Sequence, residues 1–221
     1  MRRHRPLDQV ATLPLNVRLS PWLPLLALLP LAGAQQLDPL TARSKGRPGA
    51  PVTVYEMADF QCPACREFAL STLPALDRDY IQTGKVRWVY VNFPLTNIHK
   101  NAIAAAQIAM CAARQNRFWP VHDALYQKQP SWAGLDLAWP ALIALADSAG
   151  VGHDALVICL NTRATVDEIS RDAQGSVRTG ANATPAFYIE GGLAEGAIPA
   201  ADFSRILDSV HRAKTGAPAR P

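Results

Sequence analysis

Metal-ligand clustering is what this sequence has least of. Of four cysteines in 221 residues, only Cys62 and Cys65 stand close together, while Cys111 and Cys159 are isolated. The histidines, His4, His99, His122, His153 and His211, form no close pair. A structural zinc site needs four ligands, usually with a second CxxC or an HxxxH, which weighs against half a zinc site and leaves two inert structural thiols as the other alternative to a redox pair. There are three methionines and no Met/His-rich tract, which weighs against a copper-delivery factor built on soft ligands. Charge of one sign is also scarce. The net +4 comes mostly from residues 1–34, where Arg2, Arg3, Arg5 and Arg18 face Asp8 alone. The remainder carries 18 basic and 17 acidic residues, too even a balance for a nucleic-acid-binding surface. Internal repeats and low-complexity tracts are absent, and no stretch beyond the N-terminal region is long and apolar enough to span a bilayer.

The N-terminal region has the pattern of an export signal. A basic segment precedes the apolar run Trp22–Leu31, and Ala32-Gly33-Ala34 supplies a small-x-small cleavage site with Gln35 as the mature start. Retained uncleaved, the segment would serve as an anchor. No cysteine follows the small residues, which argues against lipid attachment. The expectation is an extracytoplasmic protein, in the periplasm or cell envelope, where disulfides form and persist.

Against this background Cys62-Pro63-Ala64-Cys65 is the most informative feature. Two thiols two residues apart can close a disulfide and reopen it. The opening turn of a helix presents unpaired N–H groups and a positive dipole end, which favour a thiolate at the first cysteine. Pro63 suits that turn because no N–H is needed there. The thiolate is the form that attacks disulfides, so the motif points to thiol–disulfide chemistry. Cys62 is expected as the exposed nucleophile, and Cys65, one turn inward, as the buried resolving thiol.

The organisation around the motif is legible. Residues 35–50 read as a linker with a breaker-rich end. Val52–Ala58 reads as a buried strand and 63–80 as a helix kinked or broken at Pro74. Val86–Val91 is a second strand, completing a βαβ unit with the cysteines at a strand's carboxyl end. Helical patterns follow over 97–115, 118–127, 135–149, 154–161 and 164–179, with Gln129-Pro130-Ser131 and Gly150-Val151-Gly152 as breaks. Ala186–Ile189, a Gly191-Gly192 turn and Leu193–Glu195 form a hairpin, and 200–213 a closing helix. The fold class is therefore α/β: a discontinuous βαβ…ββα domain interrupted by helices.

These residues resemble the DsbA-like branch of the thioredoxin superfamily, exported thiol–disulfide oxidoreductases with a helical insertion. The likeness rests on Val52–Cys65, on Phe93-Pro94-Leu95 through His99 and the Ala-rich stretch after it, on Phe118-Trp119 through Tyr126, and on Thr184-Pro185-Ala186-Phe187 with Gly191-Gly192. It implies a thioredoxin fold in two parts, 51–93 and 182–214, an all-helical insertion at 94–181, and a tail at 215–221. It implies a cis Thr184–Pro185 bond facing the CxxC, with the Thr184 backbone free to pair with an extended substrate. Glu56, six residues before Cys62, matches a family acid. Buried near Cys65 it would exchange protons with that thiol; the alternative is a strand-edge glutamate facing water. With Cys62 and Cys65 paired, Cys111 and Cys159 remain for a structural disulfide, as in other DsbA-like proteins, with two buried free thiols as the alternative. The implied activity is donation of disulfides to reduced or unfolded substrate proteins by a monomer needing no cofactor or metal, reoxidised by a DsbB-like or VKOR-like membrane protein. A reductase or isomerase on the same fold is the rival, though no separate dimerisation domain is visible. Ala64 departs from the family, whose strongly oxidising members carry histidine there. His99 and His122 are expected to cap or pack locally, with a place near the active site as the alternative for His99, and Phe118, Trp119, Trp132 and Trp139 to form core, with a substrate groove as the alternative.

Overall fold

The computed structural model describes residues 38–216. The expected export signal, the first residues of the linker and most of the tail lie outside the described residues. The stretch read as a linker is not one from Asp38 onward. It forms a helical turn, α1 (Pro39–Ala42), and a two-residue strand, β1 (Ser44–Lys45). Asp38 caps α1 by accepting the Thr41 N–H at 3.0 Å. Arg43, 3% exposed, forms a two-pronged ion pair with Asp172. Asp172 also accepts the Asn92 backbone and side-chain N–H groups at 3.1 and 2.8 Å. A long-range ion pair thus ties down a segment whose local sequence reads as loop. Gly46 leaves β1 at φ +84, where a Cβ would lie 2.4 Å from the Val86 carbonyl oxygen.

β2 (Val52–Ala58) and β3 (Val86–Asn92) pair in parallel, from Val52 opposite Val86 to Ala58 opposite Asn92. Between them runs a continuous helix of mixed winding: α2 (Pro63–Glu67), a π-helical turn (Phe68–Thr72), α3 (Leu73–Leu76) and a second π turn (Asp77–Ile81). The expected break at Pro74 takes this form. A proline ring collides with the carbonyl four residues back and leaves it unpaired. The wider turn ahead of it, in which the Leu73 N–H reaches the Phe68 carbonyl, lets the helix pass through.

Six helices follow: α4 (Ala102–Ala113), α5 (Phe118–Gln127), α6 (Gln129–Trp132), α7 (Trp139–Ser148), α8 (His153–Asn161) and α9 (Val166–Arg178). Ten of the twelve α4 residues are buried, mostly alanines, so α5, α7 and α8 can approach closely. Three boundaries differ from expectation. Residues 97–101 are held as a turn by contacts to the site described below. α7 begins only at Trp139, with Pro140 in its first turn. Gln129–Trp132 is helical where a break was expected.

The chain returns to the sheet as β4 (Ala186–Ile189) and β5 (Gly192–Glu195) and closes with α10 (Ala200–Thr215). The strand order is β1-β3-β2-β4-β5, with β4 antiparallel to β2. Phe68, Trp88, Phe187 and Phe203 pack ring against ring between the sheet, the helix over 63–81 and α10. The result is the interrupted βαβ…ββα order, with β2 central and its carboxyl end beneath the helical block.

Candidate active site

β2 ends at Ala58, and Asp59, Phe60 and Gln61 turn the chain into α2. Cys62 is the N-cap, with extended φ/ψ of −71 and 124, and Pro63 stands in the first turn. Both thiols are free. Cys65 is 0% exposed, and Cys62, expected to be exposed, is only 7% exposed. It is covered because its Sγ lies 3.4 Å from the Thr184 carbonyl oxygen and its own carbonyl accepts from Gln129 Nε2 at 3.0 Å. A hydrogen bond from the Cys65 thiol is the main influence drawing the Cys62 pKa down to about 5, against the opposing effect of burial. Thr184 and the backbone N–H groups of Cys65 and Ala64 add to the lowering. Cys65 moves the other way. Burial, then the hydrogen bond and charge of Cys62, push its pKa well above that of an ordinary thiol. The pair is thus polarised into one ready thiolate and one retained thiol.

The Thr184–Pro185 bond is cis and packs over Cys62. Beyond it the Pro185 carbonyl accepts the Gly196 N–H at 2.8 Å, closing the open end of the hairpin. Glu56 sits mid-strand, opposite Tyr90 and Phe187, and is 0% exposed. Strand alternation places it on the face of Val54 and Ala58, and Val54 packs there against Phe68, Leu73 and Leu76 of the helix over 63–81. Trp88 Nε1 donates to Oε2 at 2.7 Å, whereas the buried Oε1 has no partner. Burial raises the Glu56 pKa to about 7, moderated by the Trp88 bond and by Lys45. Cys111 and Cys159 are joined as a disulfide between α4 and α8 with Cα atoms 5.9 Å apart.

Apart from the alternative weighed for His99, sequence reading passed over the groups that hold the motif in place. The Asp59 N–H lies 3.5 Å from Cys65 Sγ. The Asp59 carboxylate accepts from the Gln61 N–H (2.7 Å), the Leu95 N–H (2.8 Å) and His99 Nδ1 (2.8 Å). Gln61 accepts the Asn101 N–H at 2.6 Å and donates to the Ala133 carbonyl at 2.8 Å. His99 is therefore part of the site's framework rather than a local cap. A carboxylate directly after an apolar strand and three residues before a reactive cysteine was the available signal; Gln129 offered none. His122 packs as expected, buried among Phe60, Tyr90, Phe118, Trp119 and Tyr126. Burial holds its pKa below the usual histidine range. Among the described residues no three His, Cys, Asp or Glu side chains converge as a metal ion requires.

A family model described as thioredoxin matches residues 40–209. The chain belongs to the thioredoxin family. Among curated relatives of this thioredoxin-family protein, a probable disulfide bond formation protein D of Bacillus cereus is 31% identical over 158 residues, spanning 70% of this chain and 72% of the relative. Oxidised BdbD from Bacillus subtilis shares the fold with a TM-score of 0.70 at 23% identity, covering 78% of this chain and 95% of that one. Wolbachia pipientis alpha-DsbA1 does so with a TM-score of 0.69 at 24% identity, covering 78% and 92%. The protein is a disulfide oxidoreductase with a DsbA-like helical insertion in its thioredoxin fold.

Proposed function

We propose that this oxidoreductase is exported by the signal at 1–34 and donates its Cys62–Cys65 disulfide to reduced substrate proteins. A substrate thiolate attacks Cys62 Sγ, forming a mixed disulfide and releasing Cys65 as the leaving sulfur. A second substrate thiolate then attacks the substrate sulfur of that mixed disulfide. The substrate leaves oxidised by two electrons, and both protein thiols remain reduced. Thr184 and Pro185 would bind the incoming extended chain beside Cys62. Glu56, buried and able to hold or release a proton near neutral pH, would exchange that proton with Cys65. The enzyme would act as a monomer, and a quinone-linked membrane protein, DsbB-like or VKOR-like, would restore the disulfide.

The environment of Cys62 supports this direction of transfer. The Cys62 pKa, near 5, lies far below that of a free thiol. A stabilised thiolate is a stabilised reduced state, and a couple whose reduced state is stabilised is an oxidant. Equilibration with glutathione redox buffers tests the reading. The couple should be reduced even where oxidised glutathione is plentiful. A couple that remains a disulfide in reducing buffers would assign the protein to a reductase role instead. Loss of substrate oxidation in Cys62→Ser, with mixed disulfides accumulating in Cys65→Ser, checks the two roles.

A further inference from the structure

We infer that Asp59 and His99 form a positioning pair that holds the Asp59 backbone N–H as the hydrogen-bond donor to Cys65 Sγ when that sulfur carries charge during exchange. The inference rests on the disulfide-exchange reading of the site and concerns its leaving group. When a thiolate attacks Cys62 Sγ, a new S–S bond forms, the Cys62–Cys65 bond breaks, and the electron pair departs on Cys65 Sγ, which later takes up a proton. Cys65 is 0% exposed, so water is not at hand to solvate that charge. The Asp59 N–H, 3.5 Å from the sulfur, is the backbone donor placed for it. A fixed amide aimed at developing charge in a buried site lowers the barrier without reorganising.

What fixes the amide is its own side chain. The Asp59 carboxyl group is 0% exposed and is clasped from three stretches of chain: the turn before Cys62 (Gln61 N–H), the loop after β3 (Leu95 N–H), and the approach to α4 (His99). His99 is itself braced, its backbone N–H donating to the Leu95 carbonyl at 2.9 Å. A carboxylate accepts only, so the His99 Nδ1 facing it carries the proton. The clasp has an electrostatic side as well. An uncompensated carboxylate on the residue whose amide faces Cys65 would oppose a second negative charge, and three donors offset it. Removing the His99 donor loosens the amide and unshields the carboxylate, and both changes hinder departure of the Cys65 thiolate. The ground states on either side of the reaction, a disulfide and a Cys65 thiol, carry no charge on this sulfur, so rates should respond and the equilibrium should not.

The test is stopped-flow exchange of the full-length protein with glutathione in both directions. The variants are His99→Phe, which keeps a ring without the donor, and His99→Gln, which keeps a donor without the ring. His99→Phe should slow reduction of the disulfide and its reformation alike, by about tenfold, a milder loss than deleting a direct donor. The ratio of the two rates should stay within about twofold, and His99→Gln should return both to within about threefold of wild type. Unchanged rates in a His99→Phe protein with a lowered melting temperature would reduce the pair to a structural tie and overturn the inference. So would a glutamine variant as slow as the phenylalanine one, or a shift in the ratio alone. If His99→Phe fails to fold, His99→Ala carries the same comparison. Wild-type exchange by itself reports on the reading of the site, and the variant-to-wild-type ratio reports on the pair.

Discussion

Cys62 and Cys65 share one environment and are driven apart by it. The first sulfur collects donors at a helix start, and the second is sealed beneath them. Alkylation of Cys62 should follow its thiolate, with half-maximal rate near pH 5. Because the Cys65 thiol is the leading donor, Cys65→Ala should raise that midpoint by about one pH unit or more. A midpoint near that of a free thiol in the wild type would refute the assignment. Glu56 makes the opposite kind of prediction. Its pKa rises on folding, from 4.5 to about 7. Between those values the folded protein keeps a proton that the unfolded chain has released, so stability falls as pH climbs through this window. Glu56→Gln should therefore be the more stable protein well above pH 7, by on the order of 3 kcal/mol, and match wild type near pH 4. Urea titrations at pH 4 and pH 8 measure the difference; equal curves at both would show that Glu56 ionises freely.

At the level of elements, the insertion is held by two kinds of tie. Packing on the alanine surface of α4 is one, and the Cys111–Cys159 link to α8 is the other. The bridge closes a loop with a sequence separation of 48. Chain-entropy reasoning assigns such a loop about 4 kcal/mol of stabilisation. Cys111→Ala/Cys159→Ala should lose stability on that order in chemical denaturation, while glutathione exchange at Cys62 in the folded protein keeps its wild-type rate. A variant as stable as wild type, or mass-spectrometric recovery of singly alkylated Cys111 and Cys159 peptides from unreduced protein, would dismiss the bridge.

For the whole molecule, redox state and folding are coupled through Cys62. Its pKa is depressed in the folded reduced form relative to the unfolded chain. That contribution is complete above the pKa of an unfolded thiol and is lost as pH falls towards 5. The reduced protein should therefore unfold at a higher temperature than the oxidised protein at pH 8, with the gap closing as pH approaches 5. Calorimetry on the two forms decides this; an oxidised form that is the more stable at pH 8 contradicts an oxidising role.

Local sequence determined the elements whose signals are local. The buried strands at 52–58 and 86–92, the helix start at Cys62-Pro63, the hairpin at Gly191-Gly192 and the amphipathic closing helix all follow from apolar period and turn chemistry within a few residues. The choice of Cys62, Cys65, Glu56, Thr184 and Pro185 as the residues of interest came from motif spacing and family resemblance in the same way. Tertiary structure decided what depends on partners distant in the chain. Arg43 turns a loop-like segment into an edge of the fold only because Asp172 lies beside it. Residues 97–101 give up helix because His99 and Asn101 find better partners in Asp59 and Gln61. The covering of Cys62 and the clasp on Asp59 arise where β2, the loop after β3, the Thr184 turn and α6 meet. Hydrogen bonds across such separations leave no periodicity in a sequence, and the polar residues that make them read there as ordinary surface.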